Sequence, residues 1–224
     1  LMSPGSAEAA QRAAGAVCVA VDAAMSGESP RAFCAVRPPG HHATPDTAMG
    51  FCLFNNVAVG AAHALATHGL ERVAIVDFDV HHGNGTQDIF WNEPRVMYAS
   101  SHQWPLYPGT GDRAETGVGN IVNAPLPPGA GSAEFRDAWD NTVLPVLDAF
   151  APQLVLISAG FDAHKLDPLA NLNLETGDYA WITHRLVEIA RRHAEGRVVS
   201  SLEGGYSLDA LRESVAAHVA ALGE

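Results

Sequence analysis

Short apolar runs that alternate with longer helical segments constrain the fold of this chain more than any other feature. The runs are rich in valine, isoleucine and leucine, which indicates buried strands. The predicted strands are 31–36, 72–76, 95–100, 153–158 and 197–202. Strands and helices in this alternation predict an α/β fold, in which helices cover both faces of a parallel sheet.

The helical segments are bounded by residues that favour helix ends. The predicted helices are 5–26, 55–68, 84–90, 132–150, 176–195 and 207–222. Gly27 and Gly69 follow the first two helices, as expected of residues that end a helix. Pro145 should kink or divide the fourth helix, because proline lacks a backbone N–H. The stretch 101–131 is rich in turn residues, with a candidate strand at 120–123.

Length and composition limit the class of protein. The 224 residues, 47% of them hydrophobic, predict a single domain over 1–224. The net charge of −12 argues against direct nucleic-acid binding and against membrane-surface binding, because both partners are anionic. This charge is compatible with a cationic substrate and with an ordinary soluble surface. Three cysteines without a CxxC pair, and no signal-peptide or membrane-spanning pattern, predict a cytoplasmic protein with no membrane partner.

Polar clusters lie at the ends of the predicted strands. They occupy 39–42, 77–84, 100–102, 160–162 and 203–206. Parallel strands place their carboxyl ends at one edge of the sheet, where open α/β sheets bind ligands. We therefore expect the five clusters to form an active site at that edge.

A carboxylate and an imidazole two residues apart, Asp79 and His81, follow the second strand. They point the same way if the strand geometry continues, and Asp162 after the fourth strand is the natural third ligand. Oxygen and nitrogen donors suit zinc or a neighbouring first-row metal, and three protein ligands leave a position open for catalysis. The competing interpretation is that Asp79 and His81 form an ordinary ion pair in a capped loop and that Asp162 is a turn aspartate.

The adjacent residues His41 and His42 fit an acid–base role, because imidazole titrates near neutral pH. Asp77 and Asn84 could hold the two rings, and a carboxylate partner would favour the imidazolium form. Tyr206 follows two glycines and could donate a hydrogen bond to a developing oxyanion. The alternative to a catalytic role is structural: His41 and His42 would be a surface or structural pair, and Tyr206 would cap the core.

Six motifs occur in order along nearly the whole chain. They are Arg37-Pro-Pro-Gly-His-His-Ala43, Gly50-Phe-Cys-Leu-Phe-Asn-Asn56, Asp77-Phe-Asp-Val-His-His-Gly-Asn-Gly-Thr86, Tyr107-Pro-Gly-Thr-Gly111, Ser158-Ala-Gly-Phe-Asp162 and Glu203-Gly-Gly-Tyr206. With these motifs the sequence resembles the histone deacetylase superfamily, which includes bacterial acetylpolyamine amidohydrolases. The resemblance implies an arginase/deacetylase-like three-layer fold.

The resemblance also implies zinc-dependent hydrolysis of an acetamide to acetate and a free amine. The substrate would be N-acetyl-lysine in a protein or an acetylated polyamine. His42 would act as general base and then acid with support from His41, and Tyr206 would polarise the acetyl carbonyl. The implied catalytic residues are His41, His42, Tyr206, Asp77 and Asn84, and the implied ligands of one zinc ion are Asp79, His81 and Asp162.

Substrate and cation sites follow from the same resemblance. The implied substrate-binding residues are Gly50, Phe51, Tyr107 and Leu169. Phe51 and Tyr107 would form the aromatic walls of a tunnel for the acetylated amine chain. Asp77 and Ser100 match a monovalent-cation site, usually occupied by potassium. A homo-oligomer is compatible with the sequence.

The chain departs from the family pattern in three places. Asn84 stands where one branch of the family has an aspartate, which places the chain in the class II-like branch. Tyr107 stands where phenylalanine is commoner and adds a hydroxyl to the tunnel wall. Family members begin well upstream, so the domain is expected to lack its N-terminal part, which would expose one side of the site.

Two other functions fit parts of the sequence. A binuclear ureohydrolase such as arginase shares the sheet plan and the Asp-x-His element, but Asp162-Ala163-His164-Lys165 lacks the Asp-x-Asp expected for a second metal. A non-catalytic module that binds acetylated amines would be a degraded form of the same fold. The retained His41, His42 and Tyr206 argue against such decay.

Overall fold

One six-stranded parallel sheet organises the chain, and the computed structural model describes residues 2–224. The strands are β1 (Arg31–Cys34), β2 (Val73–Asp77), β3 (Val96–Gln103), β4 (Ile121–Leu126), β5 (Leu154–Ala159) and β6 (Val198–Leu202). The helices are α1 (Ser6–Ser26), α2 (Asn56–His68), α3 (Asn84–Phe90), α4 (Ser132–Ala138), α5 (Leu144–Phe150), α6 (Thr176–His193) and α7 (Leu208–Gly223). The sheet order is β1-β6-β5-β2-β3-β4. The predicted parallel α/β fold is confirmed.

Alternate side chains of the strands enter two hydrophobic layers, one on each face of the sheet. In β2, Val73 and Ile75 face one layer, and Ala74 and Val76 face the other. α1 and α2 cover the first layer, and α4 to α7 cover the second. Burial on both faces explains why the strands read as continuous apolar runs. Within residues 2–224, no helix is long and apolar enough to cross a membrane.

The strand order reverses between β2 and β5. From β2 the chain continues through β3 and β4 on one side, and it then returns to place β5 and β6 on the other side. A crevice forms at such a switch point beyond the carboxyl ends of the strands. Asp79 follows β2 and Asp162 follows β5, so both carboxylates are delivered to this switch point.

The region after β3 differs from the sequence prediction. β3 continues to Gln103, and the candidate strand at 120–123 extends to Leu126 as the edge strand β4. The polar run Ser101-His102-Gln103 resembled a loop, but its side chains are buried and hydrogen-bonded. The Trp139 indole N–H, for example, donates to Ser101 Oγ at 2.9 Å. Buried polar groups that are satisfied in this way leave no periodic apolar signal in the sequence.

The predicted helix 132–150 is divided, as Pro145 indicated. One π-helical turn, Trp139–Val143, separates α4 from α5. Pro145 lies in the first turn of α5, where a missing N–H costs no helical hydrogen bond. The π turn places the Trp139 ring fully inside the second hydrophobic layer.

A neutral histidine, His218 of α7, is buried between the helices and the sheet. The Thr183 hydroxyl donates to Tyr179 O at 2.6 Å, so Thr183 Oγ1 accepts from His218 Nδ1–H at 2.6 Å. His218 Nε2 then accepts from the Ser200 hydroxyl at 2.8 Å. Phenylalanine rings pack around the imidazole, and burial lowers the pKa of His218 to about 3.

Acid should therefore destabilise the fold through His218. The unfolded chain gains a proton on this residue below about pH 6.5, whereas the folded chain does not until about pH 3, so stability falls as pH decreases between these values. We expect the stability difference between the wild type and His218→Gln to shrink by up to about 1.4 kcal/mol per pH unit below 6.5. Urea unfolding from pH 7.5 to pH 5 measures this difference, and a pH-independent difference would contradict the assignment.

Candidate active site

Loops at the carboxyl edge of the sheet supply the side chains of the candidate active site. They follow β1, β2, β5 and β6, which are neighbours in the sheet, and one further loop joins β3 to β4. β1 leads to the histidine pair, β2 and β5 lead to the acidic residues, and β6 leads to Tyr206. Four of the five predicted polar clusters therefore lie in these loops, and the fifth, 100–102, lies within β3.

Asp79, His81 and Asp162 form a compact group in which the ligand atoms all lie within 4.8 Å of one another. His81 Nδ1 lies 3.0 Å from Asp79 Oδ1 and 3.2 Å from Asp162 Oδ2. Both carboxylates are buried, and the His81 side chain is 13% exposed towards solvent. β2 ends at Asp77, so Asp79 and His81 meet through a tight loop and not through continued strand geometry.

The donors of this group fit a zinc ion. Asp162 Oδ1 accepts from Val80 N at 2.9 Å, but Asp162 Oδ2 is buried without a hydrogen-bond partner among residues 2–224. This oxygen faces His81 Nδ1 at 3.2 Å, and two buried carboxylates this close to one imidazole favour a cation between them. A Cβ on Gly160 or Gly204 would collide with the carboxylates, so glycine is needed for this close approach. Two carboxylates and one imidazole are ligands that zinc accepts, with a fourth position left open.

His41 lies beside two buried carboxylates, which favour its positively charged form. Its Nδ1–H donates to Asp77 Oδ2 at 3.0 Å, and both side chains are buried. Burial alone would lower the pKa of His41, but the charges of Asp77 and Asp79 raise it to about 10. Asp77 is held in turn by the Tyr98 hydroxyl, which donates to Asp77 Oδ2 at 3.1 Å.

His42 is neutral, in contrast to its neighbour. Burial and the positive charge of His41 lower the pKa of His42 to about 3. Asn84 Nδ2 donates to His42 O at 3.4 Å, so the amide oxygen of Asn84 faces the ring and accepts from His42 Nδ1–H at 2.8 Å. This tautomer leaves His42 Nε2 without a proton. The structure thus gives the histidines the partners considered from the sequence, Asp77 for His41 and Asn84 for His42.

The residues expected to bind substrate surround a narrow pocket above these groups. The pocket has a volume of about 50 Å³ and is lined in part by Gly50, Phe51, Tyr107, Leu169 and Tyr206. The Tyr107 ring stands edge-on to His42 at 5.2 Å between centroids, and Phe51 lies 6.5 Å from Tyr206. Gly50 has a φ of 54°, and a Cβ there would collide with the His42 ring.

Tyr206 presents a protonated phenol to the pocket. Its backbone N–H donates to Asp167 Oδ2 at 2.8 Å, which fixes the loop after β6. Burial, followed by the nearby charges of Asp162 and Asp79, raises the pKa of Tyr206 above its ordinary value. The phenol is therefore a hydrogen-bond donor at neutral pH.

Asp77 and Ser100, the residues expected to bind a monovalent cation, are register partners on β2 and β3. Both are fully buried, and Ser100 Oγ pairs with His102 Nδ1 at 3.0 Å. The Asp77 carboxylate is already bonded to His41, Tyr98 and the Asp79 N–H. The structure brings the two residues together, and the potassium site stays a prediction.

Glu203 is a site residue to which the sequence analysis gave no role. Its Oε2 accepts from Gly40 N at 2.6 Å and from His41 N at 3.1 Å, and its Oε1 accepts from Ser158 Oγ at 3.2 Å. The side chain therefore ties the histidine loop to β5, and burial raises its pKa to about 7. Its place in the Glu203-Gly-Gly-Tyr206 motif was the available signal, because a charged residue at the end of an apolar strand needs buried partners.

Comparison with known proteins gives the same family from sequence and from structure. Residues 1–222 match the histone deacetylase domain. The chain is 47% identical over 212 residues to "Histone deacetylase 10, chloroplastic" of Oryza sativa subsp. japonica, covering 91% of this chain and 48% of that protein. It is 46% identical over 211 residues to "Histone deacetylase-like amidohydrolase" of Pseudomonas aeruginosa, covering 92% of this chain and 56% of that protein.

A solved structure agrees with these sequence matches. The HD domain of HDA15 superposes with a TM-score of 0.92 at 42% sequence identity, covering 98% of this chain and 63% of that one. The chain spans about half the length of the two relatives named above. A domain match over nearly all of the sequence and a close structural match together show that this chain belongs to the histone deacetylase family.

Proposed function

We propose that this chain catalyses the zinc-dependent hydrolysis of an acetamide, which releases acetate and a free amine. The observation that carries the proposal is the group of Asp79, His81 and Asp162, of which Asp79 and His81 line a narrow pocket. A neutral histidine and a protonated phenol line the same pocket, as hydrolysis of an amide requires of its base and its oxyanion donor. The names of the rice and Pseudomonas relatives support this reaction class.

Asp79, His81 and Asp162 would hold one zinc ion. When bound, zinc supplies Lewis-acid polarisation of a carbonyl and lowers the pKa of water. His42 Nε2 carries no proton and is available to take one from the attacking water. The same nitrogen then gives a proton to the departing amine as the C–N bond breaks, so the acyl carbon keeps the hydroxyl group and the amine gains the hydrogen.

His41 and Tyr206 have separate supporting roles in this reaction. His41, held as imidazolium by Asp77, places a fixed positive charge next to His42 and keeps the His42 ring neutral before the reaction. The phenol of Tyr206 would donate a hydrogen bond to the carbonyl oxygen as negative charge develops there. Neither residue needs to change its protonation state during the reaction.

The pocket favours a slender substrate. The narrow opening between Phe51, Tyr107 and Leu169 suits a small acyl group on an unbranched alkyl chain. N-acetyl-lysine in a protein and an acetylated polyamine both have this shape, and the net charge of −12 favours cationic substrates of either kind. Potassium near Asp77 and Ser100, and action in the cytoplasm, are further parts of the proposal that rest on the motif resemblance and the composition.

Acetate release tests the proposal. Protein freed of metal with a chelator is compared with protein reconstituted with zinc, using an acetyl-lysine peptide and an N-acetylated polyamine as substrates. We expect release only after zinc is restored, because no side chain in the pocket replaces its chemistry. The ratio of kcat/KM for the two substrates identifies the substrate class.

A non-catalytic module that binds acetylated amines is the main competing function. It predicts no acetate release from either substrate by zinc-loaded protein, together with measurable binding of the acetylated compounds and weaker binding of the free amines. Release that is equal with and without zinc would contradict the proposed reaction itself.

A further inference from the structure

A second group of metal-binding side chains lies far from the pocket. Asp22 of α1 and His63 and His68 of α2 each bring one ligand atom within 4.8 Å of the others. Both imidazole Nε2 atoms lie 2.7 Å from the same oxygen, Asp22 Oδ1. His68 ends α2 shortly before β2 begins, so this group lies at the amino edge of the sheet, opposite the candidate active site.

The two imidazole rings are oriented towards one point. Their centroids are 5.7 Å apart, and the ring planes cross at 83°. His63 Nδ1 pairs with the Thr67 hydroxyl at 3.2 Å, and such an outer hydrogen bond fixes the ring and directs its other nitrogen to a metal. The histidine side chains are about one quarter exposed and Asp22 about half exposed, so an ion can reach them from solvent.

The helices that carry these side chains are held rigidly together. Val17 and Val21 of α1 are buried against α2, where Gly60 allows close contact. A Cβ on Gly60 would lie 2.5 Å from Val17 Cγ1. Because the packed helices already fix the backbone positions of the three residues, little conformational entropy remains to be lost when an ion binds.

Another aspartate–histidine pair on the surface of this protein differs from the Asp22 group because it also includes an arginine. Asp148 accepts from His193 at 2.8 Å, but it also accepts from the Arg192 guanidinium at 2.8 Å, which neutralises the carboxylate permanently. Within residues 2–224, Asp22 makes no salt bridge with lysine or arginine. Its only close partners in this part of the chain are the two imidazoles, so no fixed positive charge there competes with a bound cation.

We propose that Asp22, His63 and His68 bind one divalent zinc-type ion that links α1 to α2. Two imidazoles and one carboxylate form a donor set that zinc accepts, with solvent completing the coordination. The ion would cross-link two helices of one face of the sheet and stabilise their packing. The proposal is independent of the chemistry at the opposite edge.

Zinc counting in a variant without the first site gives the test. Asp162→Asn removes a proposed ligand of the active site, so any zinc still bound after equilibrium dialysis would belong to the second site. We expect one equivalent in Asp162→Asn and none when His63→Gln and His68→Gln are added. His193→Gln in place of these changes is the matched control, because it also removes a surface histidine bonded to an aspartate, and it should keep the zinc.

Thermal unfolding of the same variants gives a second readout. Zinc should raise the Tm of Asp162→Asn, and Asp22→Asn added to this variant should reduce the shift while leaving the metal-free Tm nearly unchanged. Absence of zinc in Asp162→Asn, or zinc that survives loss of both histidines, would overturn the proposal. Wild-type protein that binds one ion, lost with Asp162→Asn alone, would leave the proposed function intact and the second site refuted. Wild-type protein that binds one ion, and loses it only with the histidine changes, would support the second site and contradict zinc binding at the candidate active site.

Discussion

Replacing Tyr206 with phenylalanine is expected to lower kcat for acetate release on the order of 100- to 1,000-fold, the usual cost of losing one oxyanion donor. The phenol lines the pocket near the Asp79 and Asp162 carboxylates, and its raised pKa keeps it protonated at neutral pH. Phenylalanine keeps the ring beside Phe51 and removes the hydroxyl. Because the lost bond strengthens in the transition state, KM and zinc content should change little.

Tyr107→Phe is the matched control for this prediction. Tyr107 lines the same pocket, but its ring packs edge-on against His42 and His81 and is half exposed. Removal of its hydroxyl should change kcat by less than a few-fold, because the phenol has no assigned part in charge stabilisation. Equal losses in the two variants would mean that polarity of the pocket wall, and not a specific donor at Tyr206, limits the reaction.

The sequence predicted the parallel α/β fold because burial on both faces of the sheet leaves a strong apolar signal in each strand. It also indicated the edge at which the candidate site lies, because most polar clusters follow strands whose carboxyl ends meet there. Asp79 and Asp162 lie 83 residues apart in the chain, yet β2 and β5 are adjacent in the sheet, so strand pairing brings their loops together. The sequence analysis placed Asp162 with Asp79 from its position after a strand, but it did not predict which strands are neighbours.

The parts that were not predicted depend on buried polar contacts. The end of β3 is formed by Ser101, His102 and Gln103, whose polarity is that of a loop, and its pairing with β4 is not visible in either segment alone. Glu203 received no role because two of its three partners, the N–H groups of Gly40 and His41, are backbone atoms that the sequence does not identify. The Asp22, His63 and His68 group joins residues from two helices, and only the packing of α1 on α2 shows their proximity.

Asp162→Asn is expected to abolish zinc binding at the candidate active site and, with it, acetate release. Asp162 Oδ1 accepts from Val80 N, while Oδ2 is buried and faces His81 Nδ1 at 3.2 Å. Asparagine can keep its oxygen on Val80 N, which places an NH₂ group where the metal needs a lone pair. Loss of an outer hydrogen-bond partner alone weakens metal binding about 10- to 100-fold, so loss of a direct ligand should exceed this.

Calorimetric titration with zinc and thermal unfolding measure this effect in a chain that also carries His63→Gln and His68→Gln, so that the second site does not contribute. Zinc at about 1,000 times its Kd should stabilise the parent chain by about 4 kcal/mol, and the same concentration should leave Asp162→Asn unchanged. The metal-free forms should unfold at similar temperatures, because asparagine retains the Val80 hydrogen bond and adds no buried charge. Asp167→Asn is the control, since this nearby buried aspartate holds the backbone of Tyr206 and should leave zinc affinity intact. Zinc binding that persists in Asp162→Asn and is lost in Asp167→Asn would place the ion elsewhere and contradict the proposed ligand set.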